Sequence, residues 1–513
     1  MLNKVGNLGG IFANKELHPL ADARELKRII SELPKDNAFK ALDEIAGWLE
    51  SLLAADALPI DRLFEAVRQL DESAQISLRR LARDYLHSVR LSRTEEKRLW
   101  SINYGFWTLL ANGYERCLDS MADKAKADQM KSALPAICTR LIAALAATLK
   151  WEQFHYGPSS GEVWRRLGRA LLAAESAGVA AKAVPGGGAA GLSSAVQEYQ
   201  KAMIFVAASM DSLLPLEIEI AEHLIAHYLG GFIFTDVALH DSVYWVDLTQ
   251  AQPPLRLARM PELAQPTQRF LKPGPAHADI EALRDLLERG GDVPPDINLG
   301  AQYSPKMLIP VLRHLAAYLA PIPPQRKHDR HRVKHRMSVL NGLVNAFVAF
   351  SGEFGGRPAG LQMESWVVDN VSRGGFGALV SQIPADWLKV GALLALQPEG
   401  GENWLLGVVR RYQRTSESEA RVGIEALARQ AVAIEVKAKT ASSYAAVPGI
   451  PSLLIEEGCE LGEVRLVLPA ASFDLRENLE YGHQGKRYLL TPVALQEHNA
   501  EYELARYRRN SVG

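Results

Sequence analysis

Apolar side chains recur at helical spacing through the first two hundred residues. Phe39, Leu42, Ala46, Leu49 and Leu53 fall at i, i+3, i+7, i+10 and i+14, which aligns them along one helix face, and Pro59 follows where the pattern stops. Leu78, Leu81, Tyr85 and Val89 repeat the theme. Ser92 followed by Glu95 has the spacing of a capping box, and the helix it opens carries Trp100, Tyr104 and Trp107 on one side. An aromatic stripe at this spacing predicts core packing, because each ring removes a large apolar area from water.

Trp164, Leu167, Gly168 and Leu171 stand in WRRLGRAL, which resembles the first helix of a tetratricopeptide repeat with leucine in place of tyrosine. The chain then breaks at Pro185 to Gly188, so any array is irregular. The front therefore reads as an α-solenoid-like or bundle-like scaffold, either a surface for partners or a plain helical domain that positions something else. Between Gly230 and Gln268 the pattern turns β-rich, in VYWVDL and PLRLARM, and predicts a small insertion. Helices resume over Ile280–Arg289 and Met307–Leu319, and the prolines of PIPP, Pro321 to Pro324, stop the second.

Beyond that cluster, strand patterns dominate: Leu343–Phe350, Trp366–Asn370, Trp404–Arg410 and Val464–Leu468. The last 70 residues form a further β-rich unit in which VRLVLP, KRYLLTPV and Tyr502–Arg508 read as strands. The predicted class is multidomain α+β. A helical scaffold over 1–322, with a β insertion near 230–268, precedes a β-barrel-like domain over 323–438 and a small β unit over 439–513.

Composition narrows the possibilities. The chain has 513 residues, 48% hydrophobic and 23% charged, which excludes wholesale disorder and collagen-like architecture. The 58 basic side chains nearly balance the 59 acidic ones, so no global field draws the chain to nucleic acid or anionic membrane, and any anion site is local. Cys117, Cys138 and Cys459 have no paired spacing, which fits a reducing compartment. The first residues lack an apolar stretch of signal-peptide type, and Leu134–Trp151, with Arg140 and Lys150, reads as short of a membrane span. A cytoplasmic protein is expected.

Positive charge concentrates in RKHDRHRVKHR, residues 326–336, with six Lys or Arg side chains, three histidines and one acid, Asp329. Arginine forks suit phosphate oxygens and donate to guanine O6 and N7. Further on stands DNVSRGGFGALV, residues 369–380. Asn370 and Ser372 lie two apart, so on an extended strand both side chains face one way. Gly374 and Gly375 permit a turn and close approach to the backbone. Each segment also has a plain reading, as a solvated charged linker and as an Asx-type turn.

The two in this order resemble the signature of the PilZ domain, an R-x-x-x-R segment before a barrel and then D/N-x-S-x-x-G. The arginine motif is RVKHR, Arg332 to Arg336, with RKHDR, Arg326 to Arg330, as a second frame; the other motif is NVSRGG, Asn370 to Gly375. VGALLAL, WLLGVVRR and RVGIEAL look like later strands of the six-stranded PilZ barrel, and the resemblance covers about a fifth of the chain. It implies binding of cyclic di-GMP and no catalysis. By this resemblance Arg332 and Arg336 would grip phosphates and pack on guanine; if Arg326 and Arg330 are the gripping pair instead, the later two are auxiliary, and the later pair is preferred because it abuts a strand. Asn370 and Ser372 would bond a guanine edge, and Gly374 and Gly375 would admit the base.

The expected receptor needs no cofactor, senses the ligand at the barrel and presents the result through a helical surface that binds a protein partner. Segment 323–336 is expected to be mobile until phosphates neutralise it. The rival reading is an interaction scaffold whose barrel has lost its ligand. Glu425, Ala426 and Leu427 spell EAL, yet too little chain follows for the TIM-type barrel of the phosphodiesterases that bear that name. His328, His331 and His335 share a face only if helical, and no acid or cysteine joins them in sequence, so no metal is expected.

Overall fold

The computed structural model describes residues 18–512 apart from 56–57, 89–90, 187–190, 260, 262, 298, 300–302, 323–328, 353–362, 384–386 and 440–448. Arg326 and the prolines Pro323 and Pro324 therefore lie outside the described residues, as do Val89 and His328. The chain divides into two compact units. The first comprises 1–152, 159–208 and 219–322; the second comprises 153–158, 209–218 and 323–513.

The first unit is helical. Its elements are α1 (Ala23–Glu32), α2 (Ala38–Ala54), α3 (Ile60–His87), α4 (Arg93–Ser120), α5 (Lys124–Met130), α6 (Leu134–Phe154), α7 (Glu162–Ser176), α8 (Ala195–Ala207), α9 (Pro215–His227), α10 (Gly274–Glu288) and α11 (Pro305–Tyr318), with the ends of α6 and α9 reaching into the second unit. The Ser92–Glu95 capping box is present at the start of α4. Helix α2 buries Ala38, Ala41, Leu42, Ile45, Leu49 and Leu52. That stripe is rotated from the predicted one, in which only Leu42 and Leu49 are fully buried. The rotation follows from α2 packing on both α3 and α4, which widens the buried face beyond a single line. Trp100 and Tyr104 stack at 4.8 Å and are half-buried, as is Trp107. The predicted insertion is a four-stranded antiparallel sheet ordered Ile233–Thr235, Gln268–Lys272, Tyr244–Asp247, Leu255–Arg256.

Buried charge ties α3, α4 and α6 together. Arg140 donates to Asp71 through Nε at 2.8 Å and Nη2 at 2.6 Å, and the Tyr114 hydroxyl donates to Asp71 Oδ2 at 2.7 Å. Gln75 Nε2 also donates to Asp71, at 2.7 Å to Oδ1. Helix α6 corrects the expectation for Leu134–Trp151: by length and composition it is apolar enough to cross a membrane, and 72% of its apolar window is buried inside the fold. Arg140, which counted against a span in the sequence, is the residue whose ion pair anchors that helix.

The second unit holds two closed antiparallel barrels of six strands each. The first contains β1 (His331–Asn341), β2 (Glu364–Ser372), β3 (Gly375–Val380), β4 (Leu393–Pro398), β5 (Leu405–Arg414) and β6 (Ala420–Ala428), closed in the order β4-β5-β6-β3-β2-β1. The other contains β7 (Val432–Ala438), β8 (Ile450–Ile455), β9 (Glu463–Pro469), β10 (Leu479–His483), β11 (Lys486–His498) and β12 (Tyr502–Val512), closed as β7-β8-β9-β12-β11-β10. Strand Val432–Ala438 thus belongs to the second barrel, not to the first as the boundary at 438 had it. Met337, Val339, Trp366, Val368, Val422 and Ile424 fill the first barrel. Tyr156, from segment 153–158, joins that core; its ring lies 5.1 Å from Tyr412 and its hydroxyl donates to the Leu213 carbonyl at 3.0 Å.

Leu343–Phe350, expected as a strand, is helix α12 (Gly342–Phe350). An unbroken apolar run is compatible with either element, and tertiary packing decides. Gly342, at φ +78°, turns the chain out of β1. Leu343, Ala346 and Ala349 then share a core with Leu393, Leu406 and Val408 of the first barrel and Leu453, Val467 and Tyr502 of the second. The mobile segment is corrected as well: residues 331–336 are strand β1, held by β2.

Replacing Asp71 by alanine leaves Arg140 buried without its carboxylate and is expected to destabilise the first unit by about 3–5 kcal/mol in denaturant unfolding. A loss under about 1 kcal/mol shows that the Asp71 contacts do not anchor these helices.

Candidate functional site

Pairing between β1 and β2 brings the two sequence motifs together. Arg332 lies directly opposite Asn370, His335 opposite Val368 and Arg336 opposite Val367. The register slips between Arg332 and His335, so β1 carries an extra residue there, a β-bulge. Val333 packs on the barrel core at the bulge while Arg332, Lys334, His335 and Arg336 stay exposed. Arg330 precedes the strand and is exposed too. Among the described residues, no carboxylate or other hydrogen-bond partner engages the guanidinium groups of Arg330, Arg332 or Arg336. By contrast Arg140, Arg269 and Arg410 all hold carboxylates. Like charges held side by side on a strand without acids concentrate positive potential on this face.

The second motif sits on the same outer surface. Asn370 pairs with Gly377 across β2 and β3, and Ser372 pairs with Gly375. The Asn370 amide donates to the Asp369 carboxylate, and Ser372 Oγ donates to the Gly375 carbonyl at 3.3 Å. A Cβ on Gly377 would lie 2.1 Å from Asn370 Nδ2, so the amide occupies the space a side chain there would need. On Gly375 it would lie 2.0 Å from the Ile424 carbonyl oxygen. The Gly374 carbonyl accepts from the Ala426 amide at 3.0 Å, which fastens the turn to β6. The structure therefore brings Arg332, Asn370, Ser372 and Gly375 to one face, with Arg336 two rungs along β1, whereas Arg326 lies outside the described residues.

Two arginines that the motif reading passed over lie on this face. From Asn370 and Gly377 the row continues to Gly423 on β6 and Arg411 on β5. From Arg336 the next row runs through Val367 and Leu379 to Arg421. The alternation in RVGIEAL was the available signal, since it puts Arg421, Gly423 and Glu425 on one side of a strand.

His331 and His335 stand on β1, where they do not share the helical face that a metal reading required. Glu219, Glu222 and His223 do bring ligand atoms within 4.8 Å of one another. Lys150 Nζ lies 3.0 Å from Glu219 and 2.6 Å from Glu222, so an ammonium already neutralises the pair. Against the effect of burial, that ammonium draws the Glu222 carboxyl down to about 2.

Gly375→Val forces a side chain onto the Ile424 carbonyl and is expected to lower the stability of the barrel by roughly 3 kcal/mol in thermal or denaturant unfolding. Unchanged stability means the turn and β6 separate easily, against the close contact seen here.

Two family models match the chain. Residues 24–236 match the N-terminal domain of the cyclic-di-GMP receptor FimW, and residues 361–432 match the middle PilZ domain of that receptor. No curated protein matches. The second match covers β2 to β6 and ends at the boundary between the two barrels. Both matches come from one family, in chain order and together over more than half of the residues, and the chain belongs to that family: cyclic-di-GMP receptors in which a PilZ domain follows a separate N-terminal domain.

Proposed function

We propose that this chain binds cyclic di-GMP on the outer face of the first barrel and works as a receptor, not an enzyme, with no cofactor. The observation that carries the reading is the placement of Arg332, exposed and without an acidic partner among the described residues, directly opposite Asn370. The ligand carries two phosphodiesters and two guanines. Arg332 and Arg336 present planar forks that bond phosphate oxygens and stack on purine faces. Arg330, and Arg326 before it, supplement the charge. Asn370 offers an amide donor and acceptor to a guanine edge, Ser372 a hydroxyl, and Gly374 and Gly375 let the base approach the backbone. The helical unit is the proposed surface for a protein partner, and the cytoplasm the proposed compartment.

Calorimetric titration of the full chain with cyclic di-GMP, with GTP and cyclic AMP as controls, tests the reading. Affinity in the micromolar range or tighter is expected, with Arg332→Ala or Arg336→Ala weakening it by about 1.5–3 kcal/mol, roughly 10- to 150-fold, and Asn370→Ala by less. No heat at about 100 μM ligand sinks it. Loss on Arg326→Ala and Arg330→Ala alone moves the grip to the other arginine pair.

The reading includes transmission. Segments 153–158 and 209–218 interrupt the helical sequence yet belong to the barrel unit, so the chain connects the two units at several points. Cyclic di-GMP should slow hydrogen exchange in 331–336 and 369–377 and alter it in 209–218 and in helices of the first unit. Helical exchange identical with and without ligand would make the barrel an independent sensor.

A further inference from the structure

Three charged side chains border the bare backbone at Gly423 on the outer face of β6. Arg411 lies opposite it on β5, and Arg421 and Glu425 flank it along the strand. Two of these are engaged. Arg411 Nε is 3.6 Å from Asp211 Oδ2 and its Nη2 donates to Ser209 Oγ at 3.3 Å. Glu425 accepts from Arg410 Nε at 2.6 Å. Arg421 is exposed, and among the described residues nothing pairs with its guanidinium.

Asn370 decides what Arg421 faces. Its amide lies over Gly377, and the next position in the same row is Gly423, one strand spacing of about 5 Å further on. A base whose edge is bonded by that amide extends toward Gly423, where a Cβ would lie 3.1 Å from Arg411 Cβ, so the aliphatic stem of Arg411 borders the base on the β5 side. Arg421 is two residues along the same face, about 7 Å away, within the reach of an arginine side chain. Leu379, directly opposite Arg421 and 37% exposed, offers an apolar surface beside it.

Resting on the cyclic di-GMP reading above, we propose that Arg421 is a third arginine of the ligand site and sets its preference for guanine. Asn370 orients the base over Gly423 from the β2 side. The Arg421 fork then donates to O6 and N7 on the opposite edge. Adenine carries an amino donor in place of O6 and meets that fork donor to donor. The arginines of β1 hold charge, which every cyclic dinucleotide shares, whereas Arg421 reads the base.

The test is titration of the full chain and its variants with cyclic di-GMP and cyclic di-AMP. Arg421→Ala should weaken cyclic di-GMP by about 5- to 100-fold while leaving cyclic di-AMP nearly unchanged, so that discrimination collapses. Arg421→Lys keeps the charge and loses the fork, and should recover less than half of the lost discrimination. Gln413→Ala, on β5 directly opposite Arg421, should bind like the parent, and all variants should keep the parental thermal unfolding. Should the parent bind and Arg332→Ala weaken it while Arg421→Ala stays within twofold, the inference is overturned and the receptor reading stands. A lysine variant as discriminating as the parent overturns it too, because charge alone would then suffice. A parent that binds neither nucleotide overturns the receptor reading and this inference with it.

Discussion

The antiparallel ladder between β1 and β2 is the constraint on which the candidate site depends. Strand pairing fixes cross-strand neighbours to about 5 Å, so once Met337 is opposite Trp366 in the barrel core, Arg336 is opposite Val367 on the outside. The bulge between Arg332 and His335 then admits one extra residue and leaves Arg332 opposite Asn370. Register is enforced by burial. A slip of one residue would turn Met337 and Val339 out into water and the arginines into the core, a change that both the hydrophobic effect and the cost of desolvating charge forbid.

The rest of the second unit holds that ladder still. Barrel closure leaves neither β1 nor β2 as an edge, and α12 seals the space between the barrels with a core drawn from both. Arg410 adds a charged link, holding Glu425 on the first barrel and Glu497 on the second. The second barrel therefore shares buried surface with the first rather than following it as an appendage. Tyr156 adds to the first barrel's core, and Asp211 takes up the charge of Arg411 at the far end of the row that begins at Arg332.

What distinguishes the outer face is the use of side chains that do not fill space. Asn370 is followed across the sheet by Gly377 and Gly423, while the inward positions beside them, Ala378, Val422 and Ile424, are packed. A Cβ on Gly375 would lie 2.0 Å from the Ile424 carbonyl oxygen and one on Gly377 2.1 Å from Asn370 Nδ2, so these glycines let the strands close and leave room for the Asn370 amide.

The order of helical front, β insertion and barrel, the strands that became β2, β4, β5 and β6, and both motifs were legible in the sequence, because each rests on local periodicity or on residue types at fixed spacing, whereas residues 331–336 were expected to be mobile and are strand. So was the capping box at Ser92 and Glu95, whose two partners are three residues apart. Leu343–Phe350 was not, since an apolar run carries no period that separates helix from strand, and only the space between two barrels makes it a helix. Arg332 beside Asn370 and Arg421 beside Gly423 across from Leu379 were equally hidden from a one-dimensional reading in their consequences: local pattern says which side of a strand a residue takes, but which strands lie next to each other, and which charges find a partner, is decided by the closure of the sheet.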